Sequence, residues 1–340
     1  MRFRLGVFCM GVLVLFGLRL VSIAAQEPAD NWEPRRLISG RPDLQGVWDF
    51  RTATPFQRPE GLGDRLTEEE AAAIEAGAAA GLAAADRPPQ DGNVGAYNAF
   101  WLDFGTRVGD DRRTSLIVEP TNGRLPALAQ GVARQVGSLD ADLPGERPWR
   151  VRSAGIGADG PEDRGLAERC LVGFNSGPPM MPSAYNNNMQ LFQTEETVVI
   201  LNEMVHDARI IPLVSGQHLP SSIQQWNGDS RGRWDGDTLV VESRNFSDQR
   251  ASFEPNALMA FGVGSTLRLT EQFTPVSENV LLYEYTVDDP DTFAETFTAA
   301  VPMQRSSELI YEYACHEGNY ALSNVLSGAR AEERQTTNDR

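Results

Sequence analysis

Alternating apolar and polar positions dominate the second half of the chain. They recur in Met189–Thr194, Thr197–Met204, Arg209–Val214, Arg231–Trp234, Thr238–Ser243, Thr266–Phe273, Val280–Val287, Thr292–Val301 and Glu308–Cys315. A period of two, rich in β-branched and aromatic residues, predicts half-buried strands. Glu195-Glu196 separates the first two runs, and Asp235-Gly236 is a tight-turn pair between Arg231–Trp234 and Thr238–Ser243. Connections this short predict an antiparallel meander in sequence order. Such a meander can remove its edges by closing into a lipocalin-like barrel, while an open sandwich would show the same alternation. The expected fold class is mainly β, with a helical, loop-rich N-terminal part.

The first half is patterned differently. Residues 26–65 are rich in Pro, Gly and Arg and read as an irregular arm, with one short strand within Leu44–Phe50. Thr67-Glu-Glu-Glu70 is a capping box that opens an Ala-rich helix to about Asp86. Its thin stripe of Ile74, Ala78 and Leu82 suits a helix lying on a surface. Tyr97–Phe104 is an aromatic cluster expected to pack, and Asn122-Gly123 predicts a type I′ hairpin between Thr114–Glu119 and the Gly123–Pro126 segment. Residues 138–166 are loose. A closing helix is expected from Tyr320 to about Glu333. The domain division is then a leader over 1–25, an arm and helix over 26–165 packing on the barrel, the barrel over 166–330, and a disordered tail over 331–340.

The leader comes from Arg2 and Arg4 before an apolar stretch, with small residues at Ser22, Ala24 and Ala25. A retained anchor is the alternative, although Arg19 shortens the apolar run. Cleavage implies a periplasmic or secreted protein with no stable membrane span. Losing three arginines moves the formal net charge from −17 to −20. Charge of this sign argues against nucleic acid or anionic lipid as partners. Every basic side chain is Arg, so Schiff-base catalysis by lysine, pyridoxal phosphate anchoring and the usual phosphate loop are excluded. Cys170 and Cys315 follow the leader; in an oxidising compartment they form a disulfide, or else remain as buried thiols.

Candidate chemistry gathers around the three histidines. His206, His316 and Glu271 are the acid/base candidates: Glu271 shares a strand face with Leu267, Leu269 and Phe273, and a carboxylate among apolar neighbours is suited to proton transfer. An ion pair with an arginine is the structural alternative for Glu271. Arg209 would orient an anionic or carbonyl group, or pair internally with Asp207. His218, Trp226, Tyr185 and Asn187 complete the candidate ligand contacts. No cofactor is expected; zinc or iron on His206, His218 and His316 with Glu203 or Glu317 is the alternative, although the spacing matches no compact ligand motif. Gly228-Asp229-Ser230 precedes a hairpin rather than a helix and reads as a turn, not a nucleophile elbow.

Two Gly-x-Trp pairs, Gly46-Val-Trp48 and Gly232-Arg-Trp234, are similar to the Gly-x-Trp of lipocalin-like (calycin) barrels. The chain from Trp48 to Arg330 also resembles a group of exported bacterial proteins described only as hypothetical. That resemblance rests on Arg113-Thr-Ser-Leu-Ile-Val, Glu168-Arg-Cys-Leu, Gly177-Pro-Pro-Met, Glu203-Met-Val-His206-Asp-Ala-Arg-Ile-Ile-Pro, the Trp226–Trp234 block and Tyr313-Ala-Cys-His-Glu-Gly-Asn-Tyr320. It implies export and a shared fold, and no reaction. The function expected is binding of a small, mostly apolar molecule, with cofactor-free acid/base chemistry of isomerase, hydratase or lyase type. A non-catalytic carrier or envelope interaction protein, and a metal-dependent hydrolase, are the alternatives.

Overall fold

A computed structural model of the chain describes residues 32–88, 98–132, 134–136, 159–205, 207–213, 216–256 and 259–338. The chain divides into Met1–Glu33 and Pro34–Arg340, and every element below belongs to the second unit. The expected leader lies outside the described residues. The strands are β1 (Gly46–Asp49), β2 (Ile117–Glu119), β3 (Arg134–Val136), β4 (Asn188–Gln193), β5 (Thr197–Asn202), β6 (Ala208–Pro212), β7 (Asp229–Asp235), β8 (Thr238–Arg244), β9 (Phe253–Asn256), β10 (Met259–Phe261), β11 (Arg268–Ser277), β12 (Val280–Asp288) and β13 (Phe297–Ser306). The helices are α1 (Glu68–Ala84) and α2 (Tyr320–Asn338).

The protein is mainly β and antiparallel. Nine strands follow one another in the order β6-β5-β4-β1-β13-β12-β11-β8-β7, with β2 paired separately to β13, and β3, β10 and β9 make a small second sheet. The expected sequence-order meander holds for β4-β5-β6 and for β11-β12-β13. It fails at β1, which inserts from the N-terminal half between β4 and β13. Trp48 explains the insertion: it is 1% exposed, and a fully buried aromatic side chain stabilises by about 1.5–3 kcal/mol. Its indole Nε1 donates to the Leu44 carbonyl at 2.9 Å, and the Arg305 guanidinium from β13 lies 4.2 Å over its ring. The second Gly-x-Trp is similarly covered, with Arg41 5.9 Å from Trp234.

The hydrogen-bonded path has two ends, at β6 and β7, so among the described residues no ladder closes the sheet into a barrel. Those two end strands nevertheless lie against each other. A Cβ on Gly232 of β7 would stand 3.0 Å from Ile211 Cγ2 of β6 and 2.7 Å from Leu213 Cδ2 just beyond it. Only glycine leaves room for both side chains. On the inner face the alternation is strict. In β12, Leu281, Tyr283, Tyr285 and Val287 are buried, and Leu269, Glu271 and Phe273 of β11 alternate in the same way.

Several local expectations are corrected. Glu308–Cys315 is not a strand, because β13 is already paired with β12 on one side and with β1 and β2 on the other. The segment crosses as irregular chain with Leu309 and Tyr311 exposed, so the strand-face pairing of Glu312 with His316 does not apply. The Asn122-Gly123 hairpin is absent as well. Pro120 and Pro126 lack the N–H groups a ladder there would need, and β2 pairs with β13 instead. Phe100 and Trp101 are exposed rather than packed; their rings meet edge to face at 5.0 Å on a short 3-10 turn. Tyr97 lies outside the described residues.

Helix α1 begins where the capping box places it, with Thr67 and Glu70 exchanging side-chain-to-backbone hydrogen bonds. Ile74, Ala78 and Leu82 are half-buried, and only Ala71 is fully buried, as a surface helix requires. Helix α2 continues to Asn338, into the segment expected as tail. Cys170 and Cys315 are joined in a disulfide. Among the described residues no helix is long and apolar enough to cross a membrane.

Candidate functional site

Two polar clusters stand out, one inside the sheet and one outside. Inward parity on β6 and β11 brings Arg209 to Glu271, which is fully buried. The guanidinium donates to both carboxylate oxygens, at 2.6 and 3.0 Å. The Tyr283 hydroxyl donates to Glu271 Oε1 at 2.8 Å and accepts from the Met180 backbone N–H at 3.1 Å. Burial disfavours the Arg209 cation, but the Glu271 carboxylate outweighs it and holds the pKa above the ordinary arginine value. Burial, with Glu271 adding to it, pushes the Tyr283 hydroxyl well above the usual tyrosine range. Tyr283 is therefore a permanent donor. Arg209 pairs with Glu271 and not with Asp207, whose carboxylate accepts from Asn227 at 3.2 Å.

The second cluster lies on the outer face of the β7–β8 hairpin. Parity turns Ser230 and Gly232 toward the core and Asp229, Arg231 and Arg233 away from it. The loop 216–221 folds over this outer face. His218 Nδ1 is 2.9 Å from Asp229 Oδ2, the Leu219 N–H donates to the same oxygen at 2.9 Å, and Arg231 pairs with Oδ1 at 2.8 Å. Asn245 holds the loop from the other side, donating to the Leu219 carbonyl at 2.8 Å. Between loop and hairpin is a cleft of about 700 Å³, lined by Leu213, His218, Leu219, Ser221, Arg231, Arg233, Glu242 and Arg244 among others. With Nδ1 engaged by Asp229, the imidazole has Nε2 left to meet a ligand in that cleft.

Comparisons add no relative to this geometry. No protein-family model, no curated protein and no solved structure matches the chain. The site has to be read from its own residues.

The remaining sequence candidates fall apart in space or into structural tasks. His206 lies outside the described residues. His316 is exposed on the irregular segment before α2. Asn187 is fully buried and fully used: its amide donates to the Asp103 and Ser183 carbonyls, both at 3.0 Å, and its oxygen accepts from the Ser183 N–H at 2.7 Å. Tyr185 is half-buried with its ring 5.1 Å from Phe174 and 6.5 Å from Tyr313. The Trp226 carbonyl accepts from Arg250. Glu203 accepts from Asn188 at 2.8 Å and from the Tyr311 N–H at 3.1 Å. Among the described residues no group of three His, Cys, Asp or Glu side chains is arranged to hold a metal ion. Sequence reasoning passed over Asp229 as a turn former and over Arg231, Arg233 and Arg244 altogether. Outward parity on β7 was the one signal for them.

Proposed function

We propose that this is an exported β-sheet protein that binds a small molecule in the outer cleft and transforms it by proton transfer, without a cofactor. The curled sheet is read as a barrel closed at its seam by packing, with the Arg209–Glu271–Tyr283 cluster bracing its inside. On this reading the acid/base chemistry belongs to His218 on the outer face rather than to Glu271. Export is supported by the leader-like N-terminus and the disulfide.

One contact supports this reading above all: the 2.9 Å bond between Asp229 and His218 Nδ1 at the wall of the cleft. A carboxylate in that position fixes the tautomer and aims Nε2 at the ligand. Leu213 and Leu219 offer apolar contact, while the arginines orient a polar end. Isomerisation, hydration or elimination next to an activated carbon suits such a base.

The test is deuterium exchange. Purified protein incubated in heavy water with a small-metabolite extract is expected to raise the mass of its substrate by the uptake of deuterium at carbon. His218→Gln and Asp229→Asn are expected to slow that exchange by about 10²- to 10⁴-fold, with His218→Gln leaving the thermal midpoint near wild type. Exchange unchanged in His218→Gln would remove the catalytic role. Asp229 also holds the Leu219 N–H and Arg231, which favours a second reading as a non-catalytic carrier whose dyad merely pins the loop. That reading predicts a retained ligand, no exchange, and tolerance of His218→Gln.

A further inference from the structure

A second groove of about 400 Å³ continues from the His218 cleft and shares Ser221, Arg244 and Asn245 with it. Its far side is formed by Ser265, Thr266, Arg268, Asp288 and Asp291. Strand register sets the charges in a row. Asp229 of β7 is the Cα partner of Arg244 of β8, and Arg268 of β11 is the partner of Asp288 of β12. Since Ser243 pairs with Leu269, the next position along sets Arg244 beside Arg268. The row across the outer face therefore reads Asp229, Arg244, Arg268, Asp288.

The outer members are acids, and the two in the middle are like charges side by side. Neighbours of this kind on one sheet face repel. Asp229 is already engaged by His218 and Arg231. Among the described residues neither Arg244 nor Arg268 makes an ion pair or a side-chain hydrogen bond, although Arg231 and Arg233 beside them are both paired, with Asp229 and Glu242. The hydroxyls of Ser221 and Ser265 are also without a hydrogen-bond partner among the described residues, and both residues line the groove. Two guanidinium groups and two hydroxyls thus line one groove without partners of their own, beside the carboxylates of Asp288 and Asp291.

From this row we infer that the groove is a carboxylate-binding subsite, with Arg244 and Arg268 gripping the anion and Ser221 and Ser265 completing its hydrogen bonds. A planar guanidinium matches a carboxylate in paired hydrogen bonds. Asp288 and Asp291 in the same wall offset the two arginines, so the groove favours a group of single charge over a dianion such as phosphate. The inference rests on the proposed chemistry at His218 only for the role of the bound anion. A carboxylate held at Arg244 and Arg268 would extend its remaining chain through the shared wall toward Nε2 of His218. The substrate class is then a small carboxylic acid whose reactive carbon lies some way from its carboxylate.

The test measures anion binding directly, separate from turnover. Saturation-transfer NMR on the full exported protein would use succinate, glutamate and inorganic phosphate as probes, with wild type, Arg244→Gln, Arg268→Gln, the double variant and His218→Gln. Succinate or glutamate is expected to bind wild type and His218→Gln alike. Each arginine variant should bind about tenfold more weakly or worse, and the double variant not at all, with a wild-type thermal midpoint. Carboxylate binding that survives in the double variant overturns the subsite, as does phosphate binding tighter than either carboxylate. Loss of carboxylate binding in the arginine variants, together with deuterium exchange unaffected by His218→Gln, would leave the subsite standing and overturn the proposed function instead.

Discussion

Replacing Arg209 by Met, or Glu271 by Leu, is expected to lower the unfolding free energy by about 3–5 kcal/mol, because either change strands the other charge inside the sheet. Glu271 is 0% exposed and accepts three hydrogen bonds, two from Arg209 and one from Tyr283. Water cannot replace those donors. The double variant Arg209→Met/Glu271→Leu removes both charges and should recover much of the loss. It still leaves the Tyr283 hydroxyl without its acceptor, at a residual cost of about 1–3 kcal/mol. Urea unfolding of the wild type, the two single variants and the double variant gives the coupling energy. Losses below about 1 kcal/mol that simply add would mean that the pair is reached by solvent and holds nothing together.

Removing the Cys170–Cys315 disulfide is the second large effect expected. The bridge joins positions 145 residues apart, and in the chain-entropy model closing a loop of that length stabilises by about 5 kcal/mol. Its local consequence is more diagnostic. The irregular chain between β13 and α2 leaves Leu309 and Tyr311 exposed. The Tyr311 N–H reaches Glu203 at 3.1 Å, and the Asn319 amide reaches the Glu168 carbonyl at 3.0 Å. Reduction, or Cys170→Ala with Cys315→Ala, should therefore accelerate amide exchange in α2 first, before the sheet loses protection. Urea curves with and without reductant measure the global part, and hydrogen exchange the local one. Equal protection of α2 in both states would show that the remaining contacts, these two hydrogen bonds among them, hold the segment without the bridge.

Much of the sheet was legible because burial on one face imposes a period of two. β5, β11 and β12 were readable for this reason, as were the turn at Asp235-Gly236 and the capped start of α1. Pattern alone does not reveal which neighbour a strand will find. Glu308–Cys315 alternates as a strand does, yet β13, the strand it follows, is already paired on both sides. β1 looks like part of a loose arm, yet Trp48 carries it to the centre. Glu271 was visible as a carboxylate among apolar neighbours, while its partner came from a strand 62 residues away. The outer cleft was harder still. Asp229 and the arginines sit on a polar face that any solvated hairpin would show. Their meaning depends on the 216–221 loop folding over them, and no periodicity encodes that.

Gly232 carries a consequence for how copies of this chain meet. A strand row with unbonded N–H and C=O groups acts as a template for the addition of a foreign strand, and so for growth into fibres. The main sheet has two such rows, on β6 and on β7, and Ile211 and Leu213 are seated against Gly232 between them. A newcomer must part that contact before either row is within reach. By giving up its side chain at one position, the molecule turns its two most adhesive edges on each other and away from its neighbours.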